Sequence, residues 1–150
     1  MKWQAPAAAS FVGVALYDTN AYQNLANSTN TAVTFNSERF DTDGFHSTTT
    51  NTSRITIPSG KGGKYLVTAQ TAFDLNATGL REIKLYKNGA QVNRTFTSSA
   101  GYQLVTQTYI IDLVATDYIE MFVLQSSGGA LDIYKGTTEQ TFFQAVYLGA

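Results

Sequence analysis

The segment at residues 141–148 constrains the fold of this chain most, because it is a β-strand pattern with bulky side chains on both faces. Successive side chains of a strand point to opposite faces, so Phe142, Val146 and Leu148 share one face while Phe143 and Tyr147 share the other. One face can pack on the core of the chain's own domain. A chain of 150 residues has little left to cover a second sheet face. The pattern therefore predicts contact with another subunit.

Runs rich in β-branched and aromatic residues alternate with turn signals along the chain and predict an all-β fold of two antiparallel sheets. No segment has the periodicity of an amphipathic helix. The sharpest turn signal is Asn88-Gly89, a two-residue hairpin turn that requires positive φ. Residues 18–31 and 47–53, rich in Asn, Ser and Thr, are predicted to be surface loops. The predicted strands are residues 11–17, 32–36, 54–57, 64–73, 81–87, 91–97, 103–113, 118–125 and 141–148.

Composition narrows the classes of function. The length predicts one domain at residues 11–150, preceded by an N-terminal arm at residues 1–10. Cys is absent, which excludes disulfides, thiolate metal sites and a cysteine nucleophile. The net charge is -1 and only 14% of residues are charged, so nucleic acid is not an expected partner. The apolar stretch at residues 7–17 is too short to cross a membrane and lacks a cleavage signal, so we expect a strand there and no membrane partner.

Two carboxylates in Asp41-Thr42-Asp43-Gly44 are spaced as at the start of a calcium loop, but the other oxygen ligands of such a loop do not follow. Asp-Gly is also a turn signal, and Asp41 can accept hydrogen bonds from the backbone beyond it. A turn is the favoured interpretation, and a metal site with Asp41 and Asp43 as ligands is the alternative. No cofactor is expected. His46, the only histidine, is interpreted as a packed or surface residue, with a pH-sensitive or metal group on a symmetry axis as the alternative.

No residue pattern indicates catalysis. No serine lies in a nucleophile-elbow pattern. A carboxylate pair for glycoside hydrolysis would have to come from Glu38, Glu82, Glu120 and Glu139, and Glu82 and Glu120 lie in predicted strands where an outward charge explains them. The chain is therefore predicted not to be an enzyme.

Aromatic residues near the predicted loops are candidates for a sugar-stacking platform, since a flat apolar face beside Asn and Asp hydrogen-bonding groups suits a pyranose. Packing in the core or at an interface is the alternative. The candidates are Trp3, Tyr17, Tyr22, Tyr102 and Tyr134.

Four segments, in order, resemble the jelly-roll superfamily of tumour-necrosis-factor-like ligands and the globular head of the complement recognition subcomponent. They are residues 63–73, similar to its central strand; residues 85–89, its hairpin; residues 113–120, the corner before its next long strand; and residues 141–145, its closing strand. Thr116 and Gln144 stand where Gly is usual in this family. Residues 33–58 look more like the versions carried by bacteria and their viruses.

The resemblance implies a jelly-roll sandwich of about ten strands that assembles as a homotrimer, with aromatic side chains of the inner sheet at the trimer interface. The residues expected there are Tyr65, Phe73, Phe143 and Tyr147.

We therefore predict a non-enzymatic, trimeric structural protein of a bacteriophage particle, either a capsid decoration protein or the head of a fibre or spike. Its expected location is the virion surface, or otherwise the extracellular space. The N-terminal arm, with Trp3 as anchor, is expected to contact a capsid or fibre protein. The alternative is a lectin-like trimer that binds a host surface glycan or receptor.

Overall fold

The computed structural model describes residues 10–98, 101–136 and 138–150, which form twelve β-strands and no helix. The strands are β1 Gly13–Tyr17, β2 Tyr22–Leu25, β3 Thr31–Ala32, β4 Ser37–Asp41, β5 Arg54–Thr56, β6 Gly63–Asn76, β7 Leu80–Lys87, β8 Ala90–Ser98, β9 Gly101–Leu113, β10 Tyr118–Gln125, β11 Leu131–Tyr134 and β12 Phe142–Gly149. Accordingly, the described chain has no helix that could cross a membrane. Trp3 lies outside the described residues, and its role as an anchor stays a prediction.

The strands form two antiparallel sheets, which confirms the predicted fold class. A seven-stranded sheet runs in the order β2-β11-β6-β12-β1-β4, with β9 on the other side of β6, and a five-stranded sheet runs in the order β3-β10-β7-β8, with β5 also on β10. The 14-residue strand β6 organises the larger sheet. One of its edges pairs first with β12 and then with β11, and its other edge pairs with β9 along its whole length.

The hydrophobic core lies between the two sheets, because each sheet turns one face of its alternating pattern inward. Aromatic side chains pack there; Phe143 of β12, for example, stacks with Phe35, which lies between β3 and β4, with ring centroids 6.3 Å apart. The smaller sheet contributes aliphatic side chains such as Ile83, Leu85 and Met121. Truncating a buried aromatic residue of this kind to Ala typically costs about 3–5 kcal/mol.

The prediction that Tyr65, Phe73 and Phe143 lie at a trimer interface is wrong, because each is 0% exposed within a single protomer. They belong to the core-facing set of β6 and β12 and offer no surface to a neighbour. The alternation predicted for residues 141–148 is confirmed, but the face assigned to a partner is the core face. Tyr147 is half-buried and packs against Tyr65 with ring centroids 5.4 Å apart, so its place at an interface stays a prediction.

The strand count exceeds the predicted number of about ten. The predicted loop at residues 18–31 contains β2, and β4 and β11 were not predicted at all. These strands are only four or five residues long. β2 buries a single side chain, Leu25. β2 and β4 are mostly polar and form because the neighbouring strand offers backbone partners, so no periodicity of apolar side chains predicts them. β11 does alternate, with Leu131 and Ile133 buried, but over only four residues.

Two predicted turns are confirmed by their backbone. Asn88 and Gly89 have φ values of 50° and 81° and join β7 to β8. The corner between β9 and β10 places Thr116 at φ 75°, which explains why the family that this segment resembles has Gly there. Next to it, burial opposes ionisation of Asp117, but hydrogen bonds from Lys87, the Val114 N–H and Asn88 outweigh it and hold the pKa of Asp117 below its ordinary value.

Candidate binding surfaces

An apolar patch lies on the outward face of the seven-stranded sheet, the face that points away from the core. Leu66 of β6 sits opposite Ile110 of β9 on one side and Val146 of β12 on the other. Ile110 is 58% exposed and Leu148, at the end of β12, is 53% exposed. Leu66, Ile110, Val146 and Leu148 are called the apolar patch below. Apolar side chains gathered on one sheet face, instead of scattered singly, indicate a contact surface.

A polar band follows the apolar patch along the same face. Thr68 of β6 lies opposite Thr108 of β9 and Gln144 of β12. One register step further, the Thr106 hydroxyl donates to Gln70 Oε1 at 3.0 Å. Gln144, which replaces the Gly usual in the resembling family, therefore adds an amide to this band. An apolar patch beside a polar band has the mixed character of ordinary protein interfaces.

Two free strand edges lie beside this face. Among the described strands, β8 pairs only with β7, and β9 pairs only with β6. β8 buries no side chain, and its Phe96 is largely exposed. Because unpaired strand edges carry free backbone donors and acceptors, they are natural contact sites for another chain.

Three tyrosines come together at the other end of the seven-stranded sheet. Tyr22 of β2 lies directly opposite Tyr134 of β11, with ring centroids 5.0 Å apart, and Tyr102 of β9 lies 5.7 Å from Tyr134 on the same measure. Tyr22 is 54% exposed and Tyr102 is 46% exposed. These three residues are called the tyrosine cluster. The structure thus assembles three of the five predicted platform candidates, whereas Tyr17 lies on β1 opposite Ser37.

Two polar residues that the sequence did not single out hold the tyrosine cluster. The Tyr134 hydroxyl donates to Asp74 Oδ1 at 2.7 Å, and the Tyr102 hydroxyl donates to Gln140 Oε1 at 3.0 Å. The only sequence signal for Asp74 is its spacing of two from Ala72, which places it on the outward face of β6. Nothing in the sequence marks Gln140, because its partner Tyr102 is 38 positions away.

The hydrogen bonds perturb the titration of these groups. The bond from Tyr134, assisted by the Leu75 N–H, holds the pKa of Asp74 below its ordinary value. The same bond, with burial and the charge of Asp74, raises the pKa of Tyr134 to about 12. Burial and the charge of Asp74 also raise the pKa of Tyr102. At neutral pH the cluster therefore pairs an ionised carboxylate with protonated phenols.

The turn at Asp41 is confirmed, and the metal alternative gains no support. Asp41 Oδ1 accepts the backbone N–H groups of Asp43, Gly44 and Phe45 at 3.3, 2.8 and 2.9 Å, and Oδ2 accepts that of His46 at 2.9 Å. Asp43 pairs with Lys61 at 2.7 Å, and this bond lowers the pKa of Asp43. Within residues 10–98, 101–136 and 138–150, no three His, Asp or Glu side chains are grouped as metal ligands would be.

His46 is a packed residue, as the favoured interpretation predicted. Its side chain is fully buried, with Nδ1 2.8 Å from Glu38 Oε1 and Nε2 3.2 Å from the Thr52 carbonyl oxygen. An imidazole enclosed in this way has no exposed atom to present on a symmetry axis.

The four glutamates considered for hydrolysis each face a basic partner instead of another carboxylate. Glu38 contacts His46, and Glu139 pairs with Arg39. The other two lie on strands, as predicted: Glu82 is 3.2 Å from Lys84 Nζ, and Glu120 is 3.3 Å from Arg54 Nε.

Comparison with known proteins identifies the fold. No family model and no curated protein matches the sequence. Solved structures do match: murine APRIL at pH 5.0 has a TM-score of 0.67 and 15% identity, with 93% of this chain and 100% of that chain covered. Eiger TNF from S. frugiperda has a TM-score of 0.66 and 14% identity, with 93% of both chains covered. At such low sequence identity the structural similarity shows the fold but not the function. The chain therefore has the TNF-like jelly-roll fold that its motifs predicted.

Proposed function

We propose that this chain is a non-enzymatic structural protein that works as a homotrimer. The observation that carries the proposal is the apolar patch, where Ile110 and Leu148 are more than half exposed on one sheet face. Full burial of an Ile or Leu side chain is worth roughly 1.5–3 kcal/mol, so covering the patch gives association a clear driving force. The polar band beside it supplies hydrogen bonds that fix the orientation of the partner.

The number of subunits depends on which surfaces of neighbouring protomers contact each other. The outward face and the free edges of β8 and β9 are different surfaces, so a contact between the face of one protomer and the edge of the next is heterologous. Heterologous contacts close into a ring if the rotation allows it, and such a ring has at least three members. The TNF-like fold supports the same arrangement.

We place this trimer on the surface of a bacteriophage particle, as a capsid decoration protein or as the head of a fibre or spike. Support comes from residues 33–58, which resemble the bacterial and viral versions of the fold, and from the low share of charged residues, 14%. In this arrangement the N-terminal arm, with Trp3, contacts the capsid or fibre protein.

Light scattering coupled to size-exclusion chromatography tests the trimer. The expected mass is three times 16.3 kDa. Ile110→Glu places a charge in the apolar patch and is expected to give monomers at micromolar concentration. Val114→Glu is the matched control, because Val114 is an exposed apolar residue in the turn after β9. A monomeric wild type would contradict the trimer, and an Ile110→Glu variant of unchanged mass would contradict the role of the patch.

The location on a particle has its own test. Purified particles from the host are expected to contain the chain by mass spectrometry, and antibody labelling is expected on their surface. Particles that lack the chain would contradict the virion role but would not contradict the trimer.

A second candidate function is carbohydrate binding, and the tyrosine cluster is the observation that favours it. Three copies of a weak site on a trimer would bind a glycan-covered surface more tightly than one copy, through multivalency.

A further inference from the structure

We propose that the tyrosine cluster, together with Asp74 and Gln140, binds a neutral hexopyranose. This inference rests on the second candidate function and gives it a location and a ligand class. The site spans β2, β11, β6 and β9, at the end of the sheet where β12 no longer pairs with β6.

The rings form an apolar floor that is open to solvent. Tyr22 and Tyr102 are each about half exposed and flank Tyr134, with centroid spacings of 5.0 and 5.7 Å. Leu104, opposite Ala72 in the same cross-strand row, is 53% exposed and extends the floor. A pyranose has one face rich in C–H groups, and tyrosine rings offer such a face contact area at low conformational cost.

The floor is organised before any ligand arrives. Asp74 Oδ1 accepts both the Tyr134 hydroxyl and the Leu75 N–H, so the middle ring and the carboxylate fix each other. Gln140 Oε1 fixes the hydroxyl of Tyr102 in the same way. Groups that are held in place lose less entropy on binding, which favours affinity for a small polar ligand.

The rim retains hydrogen-bonding groups that the described chain does not use. Within residues 10–98, 101–136 and 138–150, Asp74 Oδ2, Gln140 Nε2 and the Tyr22 hydroxyl make no hydrogen bond to protein. A carboxylate oxygen accepts, an amide nitrogen donates, and a phenol does either. Vicinal sugar hydroxyls need this combination, because each hydroxyl donates one hydrogen bond and can accept others.

The charge at the rim selects among sugars. The pKa of Asp74 is held below its ordinary value, so the carboxylate is ionised at neutral pH. No Lys or Arg in the described chain forms an ion pair with Asp74. An uronic or sialic acid would bring a second negative charge against it, whereas a neutral hexose would not.

The tyrosine cluster is separate from the apolar patch. Along β6, the patch is centred on Leu66 and the cluster row on Ala72, six residues away, which corresponds to roughly 20 Å of strand. A ligand at the cluster therefore does not overlap the apolar patch itself, although the polar band reaches Gln70, two residues from Ala72 on the same face.

Titration with defined glycosides tests the site on the whole chain. The probes are methyl β-D-galactopyranoside and methyl β-D-glucopyranoside, followed by NMR of the tyrosine ring signals. At least one is expected to bind with a Kd on the order of 1 mM. Tyr22→Ala is expected to weaken binding about tenfold, and Tyr109→Ala, which removes a tyrosine that is 36% exposed and lies outside the cluster, is expected to leave it unchanged. Methyl β-D-glucuronide is expected to bind Asp74→Asn more tightly than wild type.

The outcomes that overturn the site are separable from those that affect the proposed functions. If neither methyl glycoside shifts a tyrosine signal at concentrations up to roughly 10 mM, the site is wrong. If a glycan array shows binding that survives Tyr22→Ala, the carbohydrate function stands and this location is wrong. If Tyr22→Ala instead lowers the mass of the assembly, the cluster is a subunit contact and the site is also wrong.

Discussion

We expect substitution of Lys135 to lower the stability of this protein more than substitution at most other positions. Its side chain is 3% exposed, and Nζ lies 2.6 Å from Oδ2 of Asp18, which is 2% exposed. Nζ also donates to the Thr34 carbonyl at 2.5 Å and to Gln23 Oε1 at 3.3 Å. The ammonium group thus ties the ends of β1 and β11 to the segment between β3 and β4.

Lys135→Met keeps most of the side-chain volume and removes the charge. Asp18 then keeps the Asn20 N–H at 2.7 Å but loses its cation, and the Thr34 carbonyl loses a donor. A buried charge left without its partner costs about 3–5 kcal/mol, a large share of the 5–15 kcal/mol that is typical of a domain. Asp18→Asn in the same chain removes the orphaned charge, so the double variant is expected to cost less than the sum of the two single variants.

Urea denaturation followed by circular dichroism measures these losses, at several protein concentrations because self-association links stability to concentration. Lys61→Met is the matched control. Lys61 pairs with Asp43 at 2.7 Å, a similar distance, but both side chains are partly exposed and solvent screens the pair, so a much smaller loss is expected. Equal losses in Lys135→Met and Lys61→Met would refute the argument that burial sets the cost.

Three further predictions concern local structure. Asp41→Ala leaves four backbone N–H groups without their acceptor and is expected to cost about 2 kcal/mol in the same denaturation assay, whereas a loss near zero would mean that water replaces the carboxylate. Thr116→Gly relieves a β-branched residue at φ 75° and is expected to stabilise by about 0.5–1 kcal/mol, while Thr56→Gly in β5 destabilises; a loss at both positions would contradict the strain. The pKa of Asp74 is lower in the folded protein than its ordinary value of about 4. The hydrogen bond from Tyr134 therefore stabilises the fold above that ordinary pKa, and this stabilisation is lost as the pH falls through the pKa of the folded state. The stability difference between wild type and Tyr134→Phe should therefore shrink in acid, and a difference independent of pH would contradict this.

Local signals in the sequence predicted local structure well. Asn88-Gly89 forms the expected hairpin, because only residues that tolerate positive φ suit such a turn. The short strands β2 and β4 escaped prediction because they are stabilised by pairing with a neighbour and not by an apolar pattern of their own. β11 does alternate, with Leu131 and Ile133 in the core, but the pattern spans only four residues. The tyrosine cluster escaped prediction for a similar reason: Tyr22 and Tyr134 are neighbours only because β2 pairs with β11.

The sequence by itself determined the fold class, the turns and which side chains of each long strand share a face, because these follow from backbone geometry and a period of two. Only the tertiary structure decided which face is the core. Phe142 and Phe143 are equally bulky, so their pattern is symmetric, and the choice depends on how the second sheet covers the first. Phe143 is buried and Phe142 faces outward for that reason. The candidate interface therefore comprises Leu66, Ile110, Val146 and Leu148 instead of the large aromatic residues of the core.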